Sequence, residues 1–110
     1  MNASCIFCRI INREVPSSFV LETEDCIVIN DIAPKAPIHY LIIPKKHLSD
    51  IRSFVEQDMQ IGNAMFELVK QLSHVHEDIP FRLLMNNGHE AGQRVMHAHM
   101  HFLAGIHMTD

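Results

Sequence analysis

Three histidines within one short segment are the residues best suited to do chemistry. His97, His99 and His101 alternate with apolar residues inside the stretch 92–103. Alternation with a period of two predicts a β-strand, in which every second side chain points to the same face. We therefore expect the three imidazoles to line one face of a strand, with the interleaved apolar residues on the other face.

Histidines at this spacing favour chemistry over simple metal binding. Neighbouring histidines on a strand lie about 7 Å apart at Cα, and the outer pair about 13 Å apart. One metal ion would bind two of them but not all three, which leaves at least one imidazole for nucleophilic attack or proton transfer. A histidine-rich edge strand without a function and a pure metal clip are the alternatives.

A second group of metal-binding residues lies near the start of the chain, where Cys5 and Cys8 form a C-x-x-C pair. Half of a structural zinc site is one interpretation, because histidines downstream would supply the two missing ligands. A thioredoxin-like redox pair is the second, although only four residues precede the motif. Two buried cysteines without a function are the third, and the spacing alone leaves all three open.

Composition limits the class of protein and its partners. With 110 residues, of which 47% are hydrophobic and 20% charged, the chain is expected to form one globular domain over 1–110. The net charge of −4 and the lack of a basic run argue against a nucleic acid partner. No apolar run approaches the roughly 20 residues that span a bilayer. Three cysteines without a secretion signal favour a cytoplasmic location.

The elements that must position these residues predict an α+β domain. Apolar spacing predicts a short helix within 5–14, with Ser4 as its N-cap, and one long helix over 53 to about 76, with a capping box at Ser53–Glu56. Period-two or continuous apolar runs predict strands at 19–22, 26–29, 39–43, 81–85 and in the histidine segment. We expect an antiparallel sheet of about five strands with one long and one short helix.

Other polar residues have two interpretations each. Asp31, at the end of a predicted strand, would accept hydrogen bonds from ribose hydroxyls or stabilise a turn. His39 is either a hydrogen-bonded core histidine or a functional one. The polar loop 86–93 either turns backbone N–H groups toward an anion or is a plain connection.

Five segments, in chain order, resemble the histidine-triad nucleotide-binding (Hint) branch of the histidine-triad (HIT) superfamily. The matching segments are 5–11, 30–39, 43–47, 86–88 with 92–93, and 97–103. They cover essentially the whole chain. The resemblance implies a HIT-like fold, a single HIT domain over 1–110 and a homodimer with a continuous sheet.

The resemblance also implies an activity, namely hydrolysis or transfer at the α-phosphorus of AMP-like substrates such as purine nucleoside phosphoramidates. His99 would be the nucleophile and would carry a transient nucleotidyl group. His97 and His101 would orient it and stabilise phosphate charge, and His39 matches the fourth, upstream histidine of the family.

The nucleotide contacts implied by the resemblance lie in several segments. Asp31 matches a ribose-binding acid, and Asn86 and Gln93 match contacts to the phosphate or leaving group. The residues that match the purine pocket are Ile6, Phe7, Ile10, Ile29, Ile32 and Leu41. Arg94 departs from the family pattern, which has a small hydroxyl residue there. Its guanidinium would either bind phosphate or point away and change the leaving-group preference.

Relatives with the C-x-x-C opening bind zinc, and the resemblance implies the ligands Cys5, Cys8, His47 and His97. With four protein ligands such a zinc ion would be structural, and no cofactor would be required for the chemistry. A dinucleoside polyphosphate hydrolase of the Fhit-like branch, a nucleotide-binding adaptor with vestigial catalysis and a zinc-storage protein are the alternative functions.

Overall fold

The computed structural model describes residues 4–109, without the side chains of residues 55–57. The helices and strands follow one another as α1 Ile6–Ile11, β1 Phe19–Glu22, β2 Cys26–Asn30, β3 Ile38–Pro44, α2 Ile51–Gln57, α3 Met59–Val75, β4 Phe81–Leu84 and β5 Met100–Ala104. A short 3-10 turn, His89–Ala91, lies in the loop before β5. Among the described residues, no helix combines the length and apolar character needed to cross a bilayer.

The five strands form one antiparallel sheet in the order β1-β2-β3-β5-β4, which confirms the predicted α+β class. Strands β3 and β5 are neighbours, with Leu41 opposite His101 and His39 opposite Leu103. Because side chains alternate across a strand, His39 and His101 project from the same face as diagonal neighbours. The sheet therefore brings together two histidines that are 62 positions apart in the chain.

Each face of the sheet packs against a different helical layer. On one face, Met65, Leu68 and Leu72 of α3 pack with Met100 and Phe102 of β5 in a buried cluster. The opposite face carries α1, whose apolar residues form a second cluster with those of β2 and β3. The predicted division of the histidine segment is confirmed for Met100 and Phe102, which lie on the α3 side.

The predicted long helix is wrong in its continuity and in its cap. Helices α2 and α3 are separated at Asp58, whose φ of −162° and ψ of 76° are not helical, so the described part of the chain holds three α-helices. The N-cap of α2 is Asp50, whose carboxylate accepts from the Ser53 amide. Ser53 is therefore inside the helix, and the side chain of Glu56 lies outside the described residues.

The predicted histidine strand is shorter than the histidine pattern. Strand β5 begins at Met100, so only His101 belongs to it; His97 lies in a bend and His99 in backbone without regular secondary structure just before it. In this stretch Ala98 N donates to the carbonyl of Leu48, 2.6 Å away, instead of to a neighbouring strand. The chain thus joins the sheet only after His97 and His99.

Candidate active site and metal centre

A row of imidazoles runs between α1 and the start of β5. The rings of His99 and His101 lie 5.2 Å apart between centroids. Phe7 of α1 makes edge contacts with both His97 and His99, with centroids 5.9 and 5.0 Å apart. The three histidines of the predicted triad are therefore brought together under one helix, although two of them lie outside the strand.

Backbone contacts fix the orientation of His99. Its Nδ1–H donates to the carbonyl of His97, with 2.8 Å between the two heavy atoms. A carbonyl can only accept, so a neutral His99 carries its proton on Nδ1 and a lone pair on Nε2. Burial lowers the pKa of His99, which favours the neutral ring.

The second ring nitrogen of His99, Nε2, is not sealed from solvent. The residue is only 9% exposed. No hydrogen bond to its Nε2 is formed by the described residues, and no buried side-chain nitrogen among them lacks a partner. The Nε2 atom therefore keeps some contact with solvent, as a nucleophile requires.

His101 belongs to a second cluster, with His39 and Asp31. His39 Nε2 lies 2.9 Å from His101 Nδ1 and 3.3 Å from Asp31 Oδ2, and His101 Nδ1 lies 4.0 Å from the same carboxylate oxygen. Burial, helped by the neighbouring His99 and His39, lowers the pKa of His101 to about 4. The other Asp31 oxygen accepts from the Ala33 amide at 2.8 Å, so this residue stabilises a turn as well as facing the two histidines.

The predicted zinc ligands Cys5, Cys8, His47 and His97 converge, with their four ligand atoms within 4.8 Å of one another. Sulfur-to-nitrogen distances are 3.4 Å from Cys5 to His97, 3.6 Å from Cys8 to His97 and 3.2 Å from Cys8 to His47. Tetrahedral zinc, with bonds of about 2.3 Å to sulfur and about 2.0 Å to nitrogen, separates such atoms by about 3.5 Å. The residues present therefore fit a metal ion of this kind.

The hydrogen bond of His97 and the burial of Cys5 also fit a bound metal ion. His97 Nε2–H donates to the carbonyl of Pro44 at 2.7 Å, which leaves the Nδ1 lone pair facing the two sulfur atoms. A ligating histidine is commonly held by such a second hydrogen bond. Burial raises the pKa of the Cys5 thiol, so a thiolate at this position needs a nearby cation.

Helix α1 positions both cysteines through its first turn. Cys5 is the N-cap, and its Sγ accepts from the Cys8 amide at 3.4 Å, so the predicted cap at Ser4 is wrong. One helical turn then places Cys8 beside Cys5, and Phe7 between them points to the histidines.

Most of the predicted purine-pocket residues are buried where α1 packs against the sheet. Four of them are buried in the cluster on this face of the sheet, namely Phe7, Ile10, Ile29 and Leu41. Ile6 is partly exposed on α1, while Ile32 is 98% exposed. The structure therefore brings the four buried residues together, and both Ile6 and Ile32 lie outside this packed cluster.

The loop before β5 is organised by Gln93. This side chain is 1% exposed. Its amide donates to the carbonyls of Ser49 and Val95 at 2.7 and 3.0 Å, and its oxygen accepts from the Gly88 amide at 2.8 Å. Gln93 is thus occupied inside the protein rather than facing open space, and sequence reasoning missed this structural role.

The two other loop residues are more open. Asn86 is half-buried and donates to the carbonyl of Gly92 at 3.5 Å. Arg94 is exposed, makes a 3.5 Å contact to the His89 carbonyl and lines a cleft of about 270 Å³ with Ile6 and His47. The guanidinium is not ion-paired with any carboxylate in the described part of the chain.

Sequence reasoning also missed the backbone groups that orient the rings. The carbonyls of Pro44 and His97 fix His97 and His99, and the Lys35 amide donates to His39 Nδ1 at 3.0 Å. No residue type marks such a group, because every residue carries a carbonyl and nearly every residue an amide.

Comparisons with known proteins agree on one family. Residues 4–110 match the family model described as "Scavenger mRNA decapping enzyme C-term binding". An uncharacterized HIT-like protein of Synechocystis is 37% identical over 106 residues, which is 96% of this chain and 93% of that protein.

Solved structures give the same result. A HIT family hydrolase from Clostridium thermocellum is 38% identical, with a TM-score of 0.93 over 100% of this chain and 97% of that one. A histidine triad protein from Clostridium difficile is 33% identical, with a TM-score of 0.92 and the same coverage of 100% and 97%.

Proposed function

The chain belongs to the histidine-triad family, and we propose that it hydrolyses or transfers nucleotides at the α-phosphorus of AMP-like substrates, as a member of the Hint branch. The observation that carries this proposal is the His99 ring, with its Nδ1–H held by a carbonyl and its Nε2 lone pair accessible. A relative of 38% identity named a HIT family hydrolase supports the reaction class. Purine nucleoside phosphoramidates and adenylylated groups are the proposed substrates.

The proposed reaction has two steps at phosphorus. His99 Nε2 attacks the α-phosphorus and forms a phosphorus–nitrogen bond, while the bond to the leaving group breaks and its electron pair goes to the leaving atom, which takes a proton from solvent. Water then attacks the phosphorus, releases AMP, gives its proton to solvent and restores the lone pair on His99. A neutral imidazole is a competent nucleophile for this chemistry.

The neighbouring histidines have different parts in this proposal. His97 uses Nε2 on Pro44 and turns Nδ1 toward the cysteines, so it orients His99 through its carbonyl instead of moving protons. His101 lies beside His99 and would stabilise charge on the phosphoryl oxygens. His39 would hold His101 in place through the 2.9 Å contact between His39 Nε2 and His101 Nδ1.

For the nucleotide, we propose that Ile6 and the buried apolar residues beneath it form the base-binding surface, and that Asp31 accepts from the ribose. Phe7, Ile10, Ile29 and Leu41 supply the rigid floor of that surface. Arg94 is the residue we expect to contact the phosphate or the leaving group, because its charge is unpaired within the described residues and it lines an open cleft. Asn86 would help to shape this loop.

We also propose a structural zinc ion held by Cys5, Cys8, His47 and His97. When bound, the ion would clamp α1 to the segment before β5 and lower the cost of keeping two thiolates buried. Because four protein ligands would complete its coordination, no open position would remain for a substrate. The reaction proposed above uses only side chains of this protein.

A homodimer with a continuous sheet is the proposed assembly. Strand β4 is one edge of the sheet and carries exposed Phe81 and Leu84, and Phe66 of α3 is also exposed. Exposed apolar residues beside an open strand edge are typical of a surface that pairs with another strand. Light scattering should give twice the chain mass of 12.6 kDa. The cytoplasmic location inferred from the sequence stays a prediction.

Turnover of a substrate panel tests the proposed function. The panel contains an adenosine phosphoramidate, its guanosine counterpart and a diadenosine polyphosphate, each assayed with the wild type and with His99→Asn. The proposal expects release of AMP from the phosphoramidate and its loss in the variant. Preference for the diadenosine substrate would support the Fhit-like alternative, and AMP binding without turnover would support the adaptor.

A further inference from the structure

We propose that Cys5 and Cys8 are a redox modification site, at which a peroxide joins the two thiols in a disulfide that displaces zinc and slows turnover at His99. The effect on turnover rests on the proposed function, and the release of zinc rests on the proposed metal site. The disulfide depends only on the two cysteines, so it can be measured without a nucleotide or a metal.

The two thiols lie close enough to be joined. Both cysteines are free, and their sulfur atoms lie within 4.8 Å of each other, one turn apart at the start of α1. A disulfide holds its sulfur atoms about 2.05 Å apart and its Cβ atoms about 3.8 Å apart. Cys5 is the N-cap, with extended backbone outside the helix. Rotation of the two side chains and a small shift of this N-cap residue would therefore close the disulfide.

The third cysteine lies on the other side of the sheet. Cys26 is fully buried in the cluster that contains α3, whereas Cys5 and Cys8 belong to the cluster beneath α1. The sheet separates these two clusters, so the Cys26 thiol has no path to the pair. A disulfide within one chain must therefore join Cys5 to Cys8.

An open cleft leads an oxidant to Cys5 first. Cys5 lines the cleft of about 270 Å³ together with Arg94 and His47, and the described residues that line it do not include Cys8. Cys5 is 8% exposed and Cys8 only 1%. No carboxylate is among the lining residues, and the Arg94 guanidinium stabilises negative charge on a sulfur atom. Reactive cysteines are typical of such electropositive, partly open surroundings.

The proposed oxidation has two steps and consumes one peroxide molecule. The Cys5 thiolate attacks one peroxide oxygen, so a sulfur–oxygen bond forms, the oxygen–oxygen bond breaks and hydroxide leaves. The Cys8 thiolate then attacks the Cys5 sulfur, the disulfide forms and the new sulfur–oxygen bond breaks, which releases a second hydroxide. The two sulfur atoms lose two electrons, the peroxide gains them, and both hydroxide ions take protons from solvent.

The consequence for the site follows from contacts of α1 and His97. A thiolate is the metal-binding form of cysteine, so a disulfide removes two of the four proposed zinc ligands. His97 Nδ1, 3.4 and 3.6 Å from the two sulfur atoms, then loses its partner. The carbonyl of His97 orients His99 at 2.8 Å, and Phe7, between the two cysteines, contacts both rings. Oxidation would therefore disturb the groups that hold the proposed nucleophile.

Peptide mapping of the wild-type protein after treatment with hydrogen peroxide tests the disulfide. Trypsin cuts after Arg9, so peptide 1–9 contains both Cys5 and Cys8, whereas Cys26 lies in peptide 14–35. We expect peptide 1–9 to become two hydrogen atoms lighter and to regain them with dithiothreitol. Added oxygen atoms without a disulfide, or earlier oxidation of peptide 14–35, would overturn the inference.

A matched pair of variants tests which thiol is attacked first. Cys8→Ser leaves only Cys5, Cys5→Ser leaves only Cys8, and each lacks one of the proposed zinc ligands. A dimedone probe traps the sulfenic acid that forms when no second thiol can displace it. We expect faster labelling of Cys5 in Cys8→Ser than of Cys8 in Cys5→Ser, because only Cys5 lines the cleft. Equal rates, or the reverse order, would contradict the assigned order.

Zinc release to a chromogenic chelator and turnover of an adenosine phosphoramidate test the consequences. We expect zinc to leave in step with the disulfide and turnover to fall about 10-fold, with recovery of both after dithiothreitol and added zinc. Cys26→Ser is the control and should respond as the wild type does. Zinc retention or undiminished turnover in the oxidised protein would overturn the inference. An inactive wild type would instead refute the proposed function, and the peptide map would still decide the disulfide.

Discussion

Acid should destabilise the folded protein through His101, and the size of the effect follows from its surroundings. Burial beside His99 and His39 lowers the pKa of His101 to about 4, whereas an exposed histidine titrates near 6.5. Between these two pH values the unfolded chain binds a proton at His101 and the folded chain does not. Lowering the pH from about 6.5 to 4 therefore favours unfolding, and the stability is fully present above this window.

The expected magnitude comes from the same two pKa values. The gap between the pKa of His101 in the folded protein and that of an exposed histidine corresponds, at pH 5, to about 2 kcal/mol of stability lost relative to pH 7.5. The ring is partly open to solvent, with 16% of its side chain exposed, and screening reduces our expectation to about 1 kcal/mol. His97, whose pKa burial also lowers to about 4, adds a loss of the same sign.

Urea unfolding of the wild type and His101→Gln at pH 7.5 and pH 5 isolates this contribution. Glutamine does not titrate, so the variant should lose about 1 kcal/mol less than the wild type on going to pH 5, while other histidines and any bound metal affect both proteins alike. If the wild type and His101→Gln lose the same free energy of unfolding between pH 7.5 and pH 5, the lowered pKa of His101 is refuted.

Three further substitutions test other parts of the structure. Elemental analysis should find one zinc ion per chain in the wild type and almost none in Cys8→Ser. Cys26→Ser, a control outside the cluster, should keep its zinc, and equal zinc in both variants would exclude the proposed site. Asp50→Ala should lower the free energy of unfolding by about 1 kcal/mol in urea, because α2 loses its N-cap, and an unchanged midpoint would contradict that role. Gln93→Leu should cost about 2–3 kcal/mol in thermal unfolding because three backbone groups lose their partner, and wild-type stability would show that the loop does not depend on it.

The sheet could be predicted from the sequence, whereas the helix boundaries could not. Period-two and continuous apolar patterns are local, and they identified all five strands, although the last strand is shorter than its histidine pattern. The break at Asp58 has no glycine or proline to mark it, and the apolar spacing continues on both sides. Phe54 of α2 and Ile61 and Met65 of α3 all reach the same core, so packing of two short helices on one sheet decides the break.

The side chains of the site could be predicted, whereas their orientation could not. The types and spacing of His97, His99 and Cys8 identified the candidates, and the resemblance to a family grouped the four proposed zinc ligands, whose side chains the structure brings together. The proton positions depend on the carbonyls of Pro44 and His97, which belong to distant or neighbouring backbone. Such groups leave no sequence signal, because their effect arises only when the fold places them opposite a ring.

The burial of apolar residues could also be predicted only in part. Four of the residues matched to a purine pocket are buried together, as their hydrophobicity suggested, but Ile32 has the same character and is 98% exposed. Hydrophobicity alone does not separate a residue of the core from one on an exposed turn. Burial at this position is decided by the path of the chain between β2 and β3.

Trapping of labelled nucleotide on His99 is the most direct test of the proposed mechanism. An adenosine phosphoramidate labelled at the α-phosphorus would be mixed with the enzyme, quenched within milliseconds and digested, and the label would be mapped by mass spectrometry. We predict a transient AMP adduct on the peptide that contains His99, formed and lost at rates compatible with turnover and absent from His99→Asn. Turnover by the wild type without any adduct, or an undiminished rate in His99→Asn, would contradict the role assigned to this imidazole.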